Sequence, residues 1–554
     1  MVMRLPDFEI KATDLGGRIG AVRTKTSVFE TPALLPVVHP VRQLIPCPEI
    51  KAMGYGAVMT NAYTTYRRLS HRAGEGIHKI IDYDGSVMTD SGGYQVLEFG
   101  SVDITPIEMA KFEEKIGTDI AIVLDRPTGL NVTRSYAAKT VSETLAAAAL
   151  TEKAVSREDQ IWTLPIQGGK YTDLVSRSAR ASATLPFGCF ALGSPVEVME
   201  NYDFLLLVRM ILASKRFLPP DRPFHLFGAG HPLILPLAIG LGCDMFDSAS
   251  YMLYAKQDRY IGRGGTIRLD RLEYLACPCR TCSSFKAVEL KALDKLARTA
   301  ALARHNLFAL KAVVDESKQA IWEGRIWEFI KSSASNHPRA AEAFRYAADH
   351  ASQAFDLGTP AMKDRGIFVS DQPDLTRPEL QRFRELVRRL DLQERNKLIV
   401  IPETKKKPFL ASDIFGEVSK ILPDPSTTLV TCLTRNFGLV PAEVSDIFPL
   451  SQTTSIVPSY PRNDPILGSK VITRRKKKGK EWESSRRWKK VYALITKQST
   501  GRNKSGEDTH TAREGEEAEA WLRQETKNFG FGPRALVISR SYGDFKKVIS
   551  VRYR

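Results

Sequence analysis

The sequence predicts an α/β chain built on a (β/α)8 barrel of the TIM type, followed by smaller α+β C-terminal domains. Three observations predict it. The first 250 residues contain eight short apolar runs separated by longer helix-compatible segments. Several of those runs are almost continuously hydrophobic, as strands buried on both faces of a parallel sheet must be. Acids, a glutamine and glycine-bearing turns collect at the ends of five of them, where a barrel of this kind carries its chemistry. An open doubly wound sheet produces a similar alternation of elements.

In chain order the runs are ALLPVV (33–38), AVMT (57–60), SVMTD (86–90), IAIVLD (120–125), IWTLPI (161–166), CFALG (189–193), FHLFG (224–228) and CDMFD (243–247). Each is about the length of an ordinary strand. Between them, TPIEMAKFEEKIG (105–117) has a helical composition. The segment VTRSYAAKTVSETLAAAALTEKAVSRE (132–158) is alanine-rich and free of proline and glycine, which suits a long helix.

The strand ends carry the candidate site. The stretch VMTDSGGYQVLEFG (87–100) places Asp90 at the end of the third run and follows it with Ser-Gly-Gly. By itself this reads as a turn with a capping Asp. Asp125 ends the fourth run, Gln167, Gly168 and Gly169 follow the fifth, Gly193 and Ser194 the sixth, and Asp247 ends the eighth. That recurrence favours a site over five unrelated turns.

Composition bounds the rest. At 554 residues the chain needs more than one core. It is 43% hydrophobic, yet no apolar run approaches the roughly 18 residues of a membrane span, and the N-terminus MVMRLPDFEI lacks a secretory apolar core. No membrane association and a cytoplasmic location are therefore expected. The formal net charge of +17 favours a polyanionic partner such as nucleic acid.

Of seven cysteines, Cys277, Cys279 and Cys282 fall within six residues, and His305 lies 23 residues beyond the last. Three thiolates and an imidazole make a closed tetrahedral set, which points to structural Zn2+ in a subdomain at about 270–310 rather than to a disulfide framework. The domain reading is 1–325 for the barrel with this subdomain, 326–470 for a helical and α+β middle region, and 471–554 for a basic C-terminal domain. In that last segment WKKVYALITK (488–497) and ALVISR (535–540) read as strands, and RRKKKGK (474–480) with RRWKK (486–490) reads as an RNA-phosphate surface, with a solvated linker as the alternative.

Taken together, TDSGGYQ (89–95), PIQGG (165–169), ALGS (191–194), FDSASYMLYAKQDRY (246–260) and the Cys-x-Cys-x-x-Cys with its distant HNL (305–307) resemble the tRNA-guanine transglycosylases, in the family's order over roughly residues 5–310. The chain looks most like the archaeal branch: ALGS stands where the bacterial branch tends to carry a second glycine, and a long extension containing FGLVPAEVSDIFPLSQ follows. LDRPTG (124–129) departs from it, with Arg126 and Gly129 where archaeal relatives usually show an apolar residue and a proline.

The resemblance implies an enzyme that exchanges an encoded guanine in the dihydrouridine arm of tRNA for 7-cyano-7-deazaguanine, a step of archaeosine formation. It implies Asp247 as nucleophile and Asp90 as general acid/base. Asp125, Gln167, Ser91 and the main chain of Gly168, Leu192 and Gly193 would then bind the base. Tyr94 is the candidate stacking platform, with filling of the barrel rim as the alternative, and the resemblance also implies a homodimer. The competing readings are a non-catalytic tRNA-binding partner subunit and a transglycosylase acting on another tRNA site or nucleic acid. The presence of both Asp90 and Asp247 favours the enzyme.

Overall fold

The computed structural model describes residues 7–93, 103–392, 395–404, 407–422, 426–457, 460, 466–467, 470–472, 484–486, 488, 490–495, 508–528 and 536–552. Tyr94 and the basic run 474–480 lie outside the described residues. Two compact units are present, Met1–Pro360 and Ala361–Arg554.

The first unit contains the barrel. Its strands are β1 (Ala33–Pro36), β2 (Ala57–Asn61), β3 (Ser86–Asp90), β4 (Ile120–Ile122), β5 (Ile161–Ile166), β6 (Cys189–Leu192), β7 (Phe224–Leu226) and β8 (Met245–Ser248). All pair in parallel, each with the next from β2 to β8, and β8 pairs with β1. The circle closes through a parallel bridge from Val37 to Met59. All eight runs expected from the sequence form these strands. Several are a residue or more shorter than the apolar run, because residues such as Val123 stay buried after regular pairing ends.

Alternation along the strands sorts the residues into two cores. Leu34, Val58, Val87, Leu164 and Phe190 point out toward the helices, while Leu35, Met59, Met88, Ile122 and Met245 form a separate apolar plug inside the barrel. Val22 and Phe29 of the three-stranded N-terminal sheet belong to that inner cluster. They close the end at which the strands begin. Arg18 reinforces the same end by donating from Nε to Asp244 Oδ1 at 2.9 Å. The opposite end, where the strands finish, is left for polar groups.

The connecting helices start and stop as their sequences direct. Thr105 and Glu108 form a capping box on Pro106–Ile116, and Gly117 ends it in the left-handed region at φ 67°. Thr133 caps Arg134–Ala154. After β8 come a short helix, Ser250–Lys256, a hairpin of Arg259–Gly262 with Gly265–Arg268, and the long helix Lys295–Trp322 that carries His305. Among the described residues no helix is long and apolar enough to cross a membrane.

Helices Ile326–Ala334, Pro338–His350 and Ser352–Gly358 belong to the first unit, because Trp327 packs edge-on against Phe344 and Phe355 in the same core as the barrel helices. The two C-terminal strands are Lys490–Leu494 and Leu536–Ser539. They pair in parallel with each other, and the first pairs with Lys397–Pro402. Described residues on either side of 470 thus share one five-stranded sheet and one core.

Candidate active site

Asp90 and Asp247 stand two residues beyond Met88 and Met245 on the same inward faces of β3 and β8, one layer above the apolar plug. The strand ends therefore turn a hydrophobic interior into a polar mouth. Asp247 is buried, and its Oδ1 accepts two hydrogen bonds, from His225 Nε2 at 2.8 Å and from the Gly228 N–H at 3.0 Å. An ionised carboxylate only accepts, so the bond sets the histidine tautomer with its proton on Nε2.

Asp90 is half-buried. Its Oδ2 accepts from Asn61 Nδ2 at 2.7 Å, and its Oδ1 from the Gly92 N–H at 3.3 Å. Burial pushes its carboxyl up to about 6, and the negative charge of Asp247 adds to the rise against those hydrogen bonds. Such a group changes protonation near neutral pH. Asp247 and Asp90 therefore act on each other across the mouth of one barrel.

Asp125 lies just past β4, close enough to Asp90 to feel its charge. Burial pushes its carboxyl up to about 7, opposed by a hydrogen bond from Gln167 and aided by the charge of Asp90. The Gln167 side-chain N–H donates to Asp125 Oδ2, while its oxygen accepts from the Thr128 N–H at 3.0 Å, Thr128 Oγ1 at 2.9 Å and Ser194 Oγ at 3.0 Å. The Thr128 N–H can only donate, so it determines which end of the amide faces Asp125. Two glycines leave room for this pair: a Cβ on Gly93 would lie 2.3 Å from Asp125 Oδ1, and one on Gly193 2.3 Å from Gln167 Nε2.

The remaining expected base-binding groups are engaged within the protein. The Gly168 N–H donates to Thr128 Oγ1 at 3.1 Å, and the Gly193 N–H to the Ile166 carbonyl at 2.9 Å. The turn at Thr128 and the Ile166 carbonyl at the end of β5 accept these two bonds. Ser91 is fully buried, with its hydroxyl on the Val123 carbonyl at 3.3 Å, and Leu192 is fully buried at the end of β6.

Sequence reasoning missed Asn61, Thr128 and His225. His225 was the most readable of them. FHLFG (224–228) alternates, and the same phase that sends Phe224 and Leu226 outward sends His225 into the barrel beside Asp247.

The four predicted metal ligands come together. Their donor atoms all lie within 4.8 Å of one another, with His305 Nδ1 3.5 Å from Cys279 Sγ and 3.4 Å from Cys282 Sγ. A tetrahedral ion with metal–sulfur and metal–nitrogen bonds of about 2.3 and 2.05 Å requires such edges of about 3.6 Å. His305 Nε2 donates to the Ile261 carbonyl at 2.9 Å and its ring stacks on Tyr260, which orients Nδ1 toward the thiols. This Cys3His cluster can hold a metal ion, and four protein donors leave no position open for a substrate.

Comparison with known proteins agrees with the geometry. The family model described as Queuine tRNA-ribosyltransferase matches residues 14–339. A tRNA-guanine(15) transglycosylase of Aeropyrum pernix is 42% identical over 380 residues, covering 68% of this chain and 74% of the relative. The protein of that name from Sulfolobus acidocaldarius is 36% identical over 490 residues, covering 88% and 94%. The one from Thermococcus kodakarensis is 38% identical over 418 residues, covering 75% and 69%. A barrel with three acids at its open end, a Cys3His cluster beside it and relatives of this kind together mean that the chain belongs to the tRNA-guanine transglycosylase family of enzymes, in its archaeal form.

Proposed function

We propose that the protein replaces the guanine at position 15 of tRNA, in the dihydrouridine arm, with 7-cyano-7-deazaguanine through a covalent ribosyl-aspartate intermediate. Exchanging a base on an intact ribose with retained configuration takes two inversions at C1′, as in retaining glycosidases. An Asp247 oxygen forms a bond to C1′ as the C1′–N9 bond breaks. The electron pair leaves with guanine, which takes a proton from Asp90. The incoming base then returns a proton to Asp90, and its N9 displaces the Asp247 oxygen. Protons and charge balance over the cycle, so no ATP is needed.

Asp125, oriented by Gln167, accepts from the paired N–H donors on the guanine-like edge. Cys277, Cys279, Cys282 and His305 hold a structural Zn2+ that stabilises the subdomain beside the barrel. A cytoplasmic homodimer completes the reading. The observation that most supports it is the pairing of a buried, doubly hydrogen-bonded Asp247 with an Asp90 that titrates near pH 6 in its field.

The test is an Asp247→Ala variant incubated with tRNA and labelled guanine. Loss of exchange and of any covalently held tRNA is expected, and exchange at the wild-type rate removes the nucleophile assignment. Mass analysis of nucleosides from tRNA incubated with wild-type protein and candidate deazaguanines reports the accepted base and the modified position together.

A further inference from the structure

We infer that His225 is a positioning residue that assigns separate tasks to the two oxygens of Asp247, occupying Oδ1 so that Oδ2 is the atom that bonds to the ribose. The inference rests on the reading of Asp247 as nucleophile. Rotation of a carboxylate about its last torsion is broad and nearly two-fold, so an unclamped Asp presents either oxygen. Here Oδ1 takes both donors, His225 Nε2 at 2.8 Å and the Gly228 N–H at 3.0 Å. Oδ2 receives no hydrogen bond from any described residue, and 11% of the side chain stays open. Both donors come from β7 and the turn after it, and β7 is hydrogen-bonded on either side, so the clamp is stiff.

A filling role does not account for this histidine. Inward neighbours such as Met245 and Cys189 are apolar, whereas His225 is fully buried with its Nδ1 lacking a hydrogen-bond partner among the described residues. A buried ring of that kind is unfavourable unless its one bond serves a purpose. The same bond serves the second half-reaction. When the C1′–Oδ2 bond breaks, its electron pair returns to the carboxylate and spreads onto Oδ1, where the two donors already point.

The test compares H225M, which keeps bulk and loses the donor, with H225Q, which keeps an N–H near the position of Nε2. Measured quantities are single-turnover capture of tRNA on the enzyme, steady-state exchange of labelled guanine, and the melting temperature. We expect H225M to lower kcat on the order of 10- to 100-fold with KM for tRNA within about twofold, and H225Q to recover most of that loss. Wild-type kcat in H225M, equal losses in the two variants, or a change confined to KM overturns the inference. If H225M does not fold, H225Q decides: rapid capture supports the donor role and slow capture in a folded protein removes it. Exchange persisting in D247A sinks the underlying reading, whereas an inactive D247A beside a fully active H225M sinks only this one.

Discussion

Gln167 and Asp125 orient each other: the glutamine N–H rests on Asp125 Oδ2, and its oxygen is pinned by Thr128 and Ser194. Removing the amide frees the carboxylate and takes away an acceptor shared by Thr128 and Ser194, leaving the Thr128 N–H with Ser194 Oγ alone at 2.9 Å, a loss of about 0.5–1.5 kcal/mol per hydrogen bond. Gln167→Leu should therefore raise KM for guanine by about 10- to 100-fold, read by exchange of labelled guanine, with covalent capture of tRNA less affected. An unchanged KM would detach Asp125 from base recognition.

Base affinity should depend on pH through the same carboxylate. Burial places Asp125 at about 7, and only its ionised form accepts from the two N–H donors of a guanine edge. As pH falls through 7 the acceptor is protonated, so KM for guanine should climb by up to about tenfold per unit below that point. Asp125→Asn should raise KM and flatten this dependence. A wild-type KM constant from pH 8 to pH 5.5 contradicts the assignment.

Asp90 should trade stability for activity. Its folded-state pKa, about 6, lies above the ordinary 3.8, chiefly through burial. The folded state thus holds the proton more tightly than the unfolded chain, and ionisation weakens folding as pH rises from about 4 to 6. Asp90→Asn cannot ionise and can still accept from Asn61. It should melt higher than wild type at pH 7, lose that advantage near pH 4, bind tRNA, and exchange base on the order of 10²- to 10⁴-fold more slowly. Thermal melts at the two pH values, a tRNA-binding titration and an exchange assay check all four outcomes.

The Cys3His cluster should carry one zinc per chain in protein purified without chelator. His305→Ala removes a ligand together with its stacking on Tyr260 and its bond to the Ile261 carbonyl. Lower zinc content and a lower melting temperature should follow, since structural zinc sites contribute about 10 kcal/mol or more to folding in small peptides. A zinc-free wild-type protein with an unchanged melting curve removes zinc from the account.

Six of the seven residues in 474–480 are basic. Neutralising them should weaken tRNA binding and flatten its dependence on salt, because fewer cations against the phosphate backbone release fewer counterions on binding. Affinities matching wild type at several salt concentrations would make this run a solvated linker.

Local pattern was enough to read eight strands, the acids at their ends and the three cysteines of the metal site, because each of these is a property of neighbouring residues. Asp90 and Asp247 end apolar runs, and three cysteines crowd into six positions, whatever the rest of the chain does. Partners were another matter. Asn61 reaches Asp90 across 29 positions, Gln167 reaches Asp125 across 42, and His225 reaches Asp247 across 22, each from a different strand or strand end. No local signal marks such pairs.

What the sequence alone determined was which chemical groups stand at the mouth of a barrel. What only the tertiary structure decided was how each is held: which oxygen of Asp247 is occupied, that the Gly168 and Gly193 N–H groups are already bonded, and that strands on both sides of residue 470 share a sheet. The reason is physical. Strand periodicity depends on side chains a few positions apart, whereas hydrogen-bond partners and carboxyl titration depend on distance and burial that exist only once the barrel has closed.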